Sequence, residues 1–175
     1  MRRVMVIGGP GSGKSTFARA LGDITGLPVF HMDLIHWKPG WEARQSEDKD
    51  RMTSAVHARD AWIFEGGHSR TYPERIARAD TCILLDLPVG LRYARVLKRW
   101  WVYRGQSRPD LPENCPERLD PEFLAYIWTS RRRARARNLK IQANAPHLRY
   151  HHLRGPAAVR RFLTGLEAEP AQRGP

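Results

Sequence analysis

Cysteine is scarce: Cys82 and Cys115 are the only two in 175 residues. Two thiols are too few for a disulfide framework or a cysteine-built zinc site, and they fit a reducing, cytoplasmic setting. Long apolar runs are missing as well. None reaches the ~20 residues that cross a bilayer, so no membrane span is expected. A strand-like run begins almost at Met1, which leaves no room for a signal peptide. Carboxylates are in short supply, with 18 Asp+Glu against 30 Lys+Arg and a net charge of +12. That excess favours anionic partners: nucleic acid, anionic lipid or small phosphorylated molecules. There is no internal repeat and no low-complexity segment. The length suits one domain, read here as residues 1–166 with a tail over 167–175 expected to be disordered.

What the chain does have is alternation. Short apolar runs, "RRVMVI", "LPVFHMD", "AWIFEGG", "TCILLDLP" and "LRYHHL", read as five strands. Between them lie helix-like stretches at 14–26, 43–60, 71–79, 88–104 and 121–143, with a last helix at 155–166. Alternating strands and helices predict an α/β fold with a parallel sheet. In such sheets ligands gather at the carboxyl ends of the strands. Those ends carry a glycine loop, Asp33, Glu65-Gly66-Gly67, Asp86 and the Leu153-Arg154-Gly155 turn.

The glycine loop is the strongest signal. "GGPGSGKST" over Gly8–Thr16 fits G-x-x-x-x-G-K-[ST] between a strand and a helix, the context of a phosphate-binding loop. Gly8, Pro10, Gly11, Ser12 and Gly13 would bind the nucleotide, the glycines letting consecutive backbone N–H groups of the loop turn inward around a polyphosphate. Lys14 would face the β and γ phosphates of ATP, Ser15 would ligate Mg²⁺, and Thr16 would touch the α phosphate.

Around this loop the reading assigns further roles. Asp33 either positions an acceptor hydroxyl and takes its proton, or holds Mg²⁺ through water. Glu65 and Asp86 each end an apolar strand and compete as the Mg²⁺-orienting carboxylate, with Glu65 favoured. Gly66 and Gly67 would let a substrate approach the backbone, with Arg70 pairing its anion and Trp37 and Trp41 walling a planar substrate. His68 is a weak candidate for a base, and His151 and His152 receive no role.

Arginines form the last layer. Arg92, Arg95 and Arg99 share a helix face by spacing, and Arg131 and Arg135 extend the apolar stripe of Leu124 and Trp128 inward. Arg132, Arg133 and Arg137 would point elsewhere. The Pro-rich segment 105–120, with Arg108 and Arg118, joins the two arginine-bearing helices. It reads as a flexible lid over a transferring phosphoryl group, stabilised by Arg99, Arg131 and Arg135.

Together, "GGPGSGKST", "HMDLIHWKPGW", "WIFEGG", "ILLDLP", "RVLKRW" and "RPDLPENCPERLDPEFLAYIW" resemble the adenylate-kinase-related P-loop kinases, and within them the topology modulation proteins. The resemblance spans roughly residues 2–165. It implies a three-layer fold of nucleoside-monophosphate-kinase type, with five parallel strands ordered 2-3-1-4-5, a short lid and ATP binding. It also implies that Glu65 stands where Asp is usual, and that the nucleotide-specific insertion is shortened. Two functions follow as expectations. One is an ATP-dependent kinase acting on a small anionic or hydroxyl acceptor. The other is a nucleic-acid-binding NTPase acting on DNA topology, or a polynucleotide 5′-end kinase; no DNA-reading motif favours it. Assembly is left at monomer or homodimer.

Overall fold

The computed structural model describes residues 1–168. Five strands form one sheet: β1 (Arg3–Gly8), β2 (Val29–His31), β5 (Trp62–Glu65), β6 (Thr81–Asp86) and β7 (Arg149–Arg154). A two-stranded hairpin, β3 (Trp37–Lys38) and β4 (Glu42–Ala43), lies apart from them. The sheet runs β2-β5-β1-β6-β7 and every pair in it is parallel. Counting only its own strands, the order is 2-3-1-4-5, as the resemblance implies. β1 is central, so the chain leaves its carboxyl end between two halves of the sheet that were laid down in opposite directions. That is the switch point at which open parallel sheets bind ligands.

The strands alternate their side chains between two cores, as a period of two requires. Met5, Ile7, Trp62, Phe64, Cys82 and Leu84 face one layer, with Ile141 and Ala145. Val4, Val6, Ile63, Ile83 and Leu85 face the other, with Phe17, Ala18 and Leu21. The first layer includes α4 (Tyr72–Arg78) and α6 (Pro121–Asn144); the second includes α1 (Lys14–Thr25) and α7 (Gly155–Ala168). α3 (Ser46–His57) and α5 (Val89–Tyr103) complete the set, with a short α2 (Met32–His36).

Local chemistry sets the boundaries. Gly26 closes α1 in the left-handed conformation, the usual use of a glycine just past a helix. α6 begins with Pro121, and the Asp120 side chain caps the backbone N–H groups of Glu122 and Phe123.

Some expectations shift. The second strand stops at His31, not Asp33. Met32 and Ile35, one helical turn apart, are both buried, and burying them winds 32–36 into α2. The Leu124–Trp128 stripe is not the buried face of α6. Ile127, Asn138 and Ile141 are, and Trp128 is 51% exposed. The buried positions lie to one side of the expected stripe, Ile127 falling one residue before Trp128. Glu167 and Ala168 belong to α7, and the rest of the tail expected over 167–175 lies outside the described residues. Among the described residues no helix is long and apolar enough to cross a membrane.

Candidate active site

The glycine loop spans the gap from β1 to α1. Gly8, Gly11 and Gly13 all have positive φ, which only glycine takes without strain. Their missing side chains also make room for protein. A Cβ on Gly11 would stand 2.5 Å from the Arg92 carbonyl oxygen, and one on Gly9 2.4 Å from the Arg92 guanidinium carbon. The first turn of α1 has neither an acidic residue nor a side-chain cap. Its N–H groups are therefore left for an anion, and the helix dipole adds positive charge at that point. Lys14 Nζ donates to Gly9 O at 3.3 Å, and Thr16 is exposed.

α5 braces this loop from outside. Arg92 Nε donates to Pro10 O at 2.7 Å and Arg95 Nη1 to Ser12 O at 2.9 Å. Two of the three arginines on the shared face therefore hold the loop. The third, Arg99, sends Nε and Nη2 to Glu117 Oε1 at 3.0 and 2.8 Å. Burial, then the nearby Arg108, lowers its pKa.

The two candidate metal carboxylates separate clearly. Glu65, 3% exposed, accepts from Ser15 Oγ at 3.0 Å and from His31 Nδ1 at 2.8 Å. Asp86 lies at the end of β6, where it accepts from Arg135 Nε at 2.9 Å and His152 Nε2 at 2.8 Å. Its neighbourhood is a cavity of about 570 Å³ lined by Gly9, Leu84–Val89, Arg92, Arg131, Arg132, Arg135 and Arg154 among others. A hydroxyl on the loop meets a carboxylate at Glu65 and not at Asp86. That donor set of a serine oxygen and one carboxylate fits Mg²⁺, which is commonly held by one or two carboxylates with substrate phosphates supplying the rest. No group of three or more His, Cys, Asp or Glu gathers to hold a metal among the described residues.

Asp33 sits in the first turn of α2. Burial raises its pKa first and Glu65 second, against the lowering pull of Lys14 and Arg108. Lys14, Ser15, Asp33, Glu65 and Arg108 thus form one electrostatic neighbourhood. Arg108 was read only as part of a basic loop. Its ion pairs are 2.8 Å to Asp110 and 2.6 Å to Glu117, both carboxylates buried. The signal for it was the spacing Arg-x-Asp followed by a glutamate, which supplies two carboxylates to fix one guanidinium. His31 was missed too: it lies directly across the sheet ladder from Glu65, a register that the sequence does not spell out.

The 105–120 segment is packed against the turn of the β3–β4 hairpin. Trp41 N donates to Cys115 Sγ at 3.3 Å, Trp41 Nε1 donates to Pro116 O at 3.1 Å, and Arg118 lies 5.5 Å above the Trp41 ring. Trp37 meets Trp41 edge-on at 5.2 Å and His36 at 4.5 Å. Cys115 is buried, so it packs as a small apolar residue.

Other assignments move. Arg70 pairs with Asp50 at 2.9 Å, and His68 pairs with the same carboxylate, so both are engaged by the protein itself. A Cβ on Gly66 would come 2.7 Å from Met32 Cβ, so this glycine accommodates α2 more than a ligand, while Gly67 has room. Arg135 is 52% exposed and tied to Asp86, and Arg131 stacks on Trp128 at 3.5 Å, so neither is buried as the stripe implied. Arg132 shares the cavity with them, and Arg137 lies 5.5 Å from the Tyr72 ring. Gly66 O also receives a buried guanidinium: Arg75 Nη1 donates to it at 2.8 Å and Arg75 Nε to His57 Nε2 at 3.1 Å. Burial lowers the Arg75 pKa to about 10.

No family model matches the chain, and no curated protein matches it. Solved structures do. A shikimate kinase from Acinetobacter baumannii in complex with shikimate is 16% identical, with a TM-score of 0.54 over 95% of this chain and 91% of that one. An unliganded sugar kinase from Janibacter sp. is 19% identical, with a TM-score of 0.52 over 98% of this chain and 97% of that one. The fold is shared with these two structures.

Proposed function

We propose that the chain is an ATP-dependent phosphotransferase acting on a small hydroxyl or phosphate acceptor. The observation that carries this is the convergence of Lys14, Ser15, Glu65, Asp33 and Arg108 beside an uncapped helix N-terminus. Binding alone would need the loop and the lysine. A carboxylate with raised pKa and a fixed guanidinium on a lid are what transfer adds. Both solved structures named above are kinases of small molecules by title, which supports the same reading.

In this reading the loop and Lys14 hold the triphosphate. Bound Mg²⁺, held by Ser15 with Glu65, would neutralise charge on the β and γ phosphates. The acceptor oxygen attacks the γ phosphorus, its bond to the β–γ bridging oxygen breaks, and the acceptor proton passes to Asp33. ADP leaves with the bridging oxygen. The pKa rise at Asp33 makes its carboxylate a stronger base than an exposed one. Arg108 supplies fixed positive charge from the lid, with Arg99 sharing Glu117 behind it. Arg131, Arg132 and Arg135 line the cavity beside Gly9 and would meet the nucleotide. Trp37 and Trp41 would wall the acceptor.

The finer kinship to the topology modulation proteins rests on "HMDLIHWKPGW" and the "RPD…CPER" loop. These two stretches pack on each other through Trp41, Cys115 and Pro116, which supports reading them as one unit. A second reading, a polynucleotide 5′-end kinase or nucleic-acid-binding NTPase, draws on exposed Arg132, Arg133 and Arg137 beside exposed Tyr126 and Trp128. A cytoplasmic site is proposed with both. The deciding experiment is ATP turnover with Mg²⁺ across a panel of sugars, nucleosides, nucleoside monophosphates, shikimate and 5′-hydroxyl oligonucleotides. Turnover with a small acceptor supports the first reading. Turnover with oligonucleotides alone transfers the case to the second.

A further inference from the structure

His31 and Glu65 are register partners on the parallel pair β2–β5. Register partners on neighbouring strands project to the same side of the sheet. Here that places an imidazole against a carboxylate inside the core, with 9% and 3% exposure. His31 Nδ1 stands 2.8 Å from Glu65 Oε1, and Ser15 Oγ stands 3.0 Å from that same oxygen. A carboxylate only accepts, so Nδ1 is the nitrogen that carries the hydrogen in this pair. Two donors from two different elements therefore converge on one oxygen, and neither contact uses Oε2.

The arrangement answers a problem set by the sequence. Glutamate has one more rotatable bond than aspartate, so a glutamate at a strand end can swing through more positions. A metal site tolerates little of that freedom, because partners behind the ligands orient them. Ser15 belongs to the phosphate loop, and its hydroxyl is itself a candidate ligand. An anchor independent of that loop has to come from the sheet.

We propose that His31 is a positioning residue. It fixes the Glu65 carboxylate toward Ser15 and leaves the second carboxylate oxygen for holding Mg²⁺ with the nucleotide. This rests on the reading of Ser15 and Glu65 as the metal-holding pair. It adds that the hydrogen bond donated by Nδ1, and not the bulk of the imidazole, is what the site uses. Removing a partner of this kind costs about 10- to 100-fold in metal affinity.

Titration calorimetry with a non-hydrolysable ATP analogue, repeated across a Mg²⁺ series, reads this without turnover. His31→Phe keeps a ring and removes the donor; His31→Asn offers an amide N–H near the position of Nδ1. We expect analogue affinity without metal to be the same in wild type and both variants. The Mg²⁺ concentration for half-maximal effect should rise about 10-fold in His31→Phe and return close to wild type in His31→Asn. Adding His31→Phe to Glu65→Gln should change nothing further. In the wild-type protein, a slowly exchanging Nδ1 proton of His31 should appear by NMR and be lost in Glu65→Ala, which removes the acceptor; this reading needs no folded His31 variant. An unchanged Mg²⁺ requirement in His31→Phe, equal shifts in His31→Phe and His31→Asn, or no such proton in wild type would each overturn the proposal while ATP binding stands. Absence of any analogue binding to wild type would overturn the metal–nucleotide reading beneath it, and this proposal with it.

Discussion

Gly11 sits directly beneath Arg92: a Cβ at Gly11 would come 2.5 Å from the Arg92 carbonyl oxygen, and Gly11 holds φ at +75°. The phosphate loop is therefore shaped twice, once for a ligand and once to fit against α5. Gly11→Ala should lower stability of the nucleotide-free protein by about 1–3 kcal/mol, from strain at positive φ and the backbone clash. Chemical denaturation without nucleotide checks it. A loss seen only with ATP present would mean the glycine serves the ligand alone.

Ser15 and Glu65 share a hydrogen bond that Ser15 and Asp86 do not. Glu65→Gln should raise the Mg²⁺ requirement for nucleotide binding by about 10- to 100-fold. Asp86→Asn should leave that requirement unchanged, since Asp86 is spent on Arg135 and His152. The reverse pattern would return the metal to Asp86.

Asp33 carries a pKa raised chiefly by burial. A carboxylate raised in the folded state adds stability that is complete below its unfolded pKa of ~3.9 and is lost as pH rises through the folded value. At neutral pH the ionised, half-buried Asp33 is thus a cost. Asp33→Asn should stabilise the fold by about 0.5–2 kcal/mol while lowering turnover by about 10²- to 10⁴-fold. In wild type the acid limb of kcat/KM should fall at a pH above the ordinary carboxylate range. Thermal melts and a pH–rate profile read both, and unchanged turnover would demote Asp33 to a helix-turn residue.

Arg108 is fixed by Asp110 and Glu117, whereas Arg135 is half-exposed and paired with Asp86. Arg108→Ala should lower kcat by about 10³-fold, within the range reported for arginines at transferring phosphoryl groups. Arg108→Lys should not rescue it, because a point charge cannot keep both ion pairs of a guanidinium fork. Arg135→Ala should act mainly on KM for ATP. Steady-state kinetics on the three variants decide the order, and an Arg135→Ala defect larger than that of Arg108→Ala would reverse it.

Most of the architecture was legible in the chain because β-branched, apolar runs ending at glycine or carboxylate recur with helices between them. Strand order is not readable from that pattern; it comes from the resemblance carried by "GGPGSGKST" and its companion stretches, and the sheet has it. The phase of α6 was not legible. Leu124 and Trp128 look like a core stripe, yet Trp128 lies in solvent and Ile127 takes the buried position. Pairings across distant elements were equally hidden. Arg70 with Asp50 and His31 with Glu65 depend on helix packing and on sheet register, which local spacing does not encode.

ATP·Mg²⁺ titrated calorimetrically into wild type and Lys14→Ala, followed by phosphoryl transfer on the acceptor panel, tests the phosphotransferase claim most directly. Lys14 is partly exposed and its ammonium makes one hydrogen bond among the described residues, to Gly9 O, so its loss should leave the fold intact. Wild type should bind ATP·Mg²⁺ and phosphorylate a small acceptor. Lys14→Ala should fold with an unchanged melting transition, bind ATP at least about 10-fold more weakly, and transfer no detectable phosphate. Equal ATP affinity in folded Lys14→Ala, or wild-type binding with no transfer to any acceptor, would contradict the account.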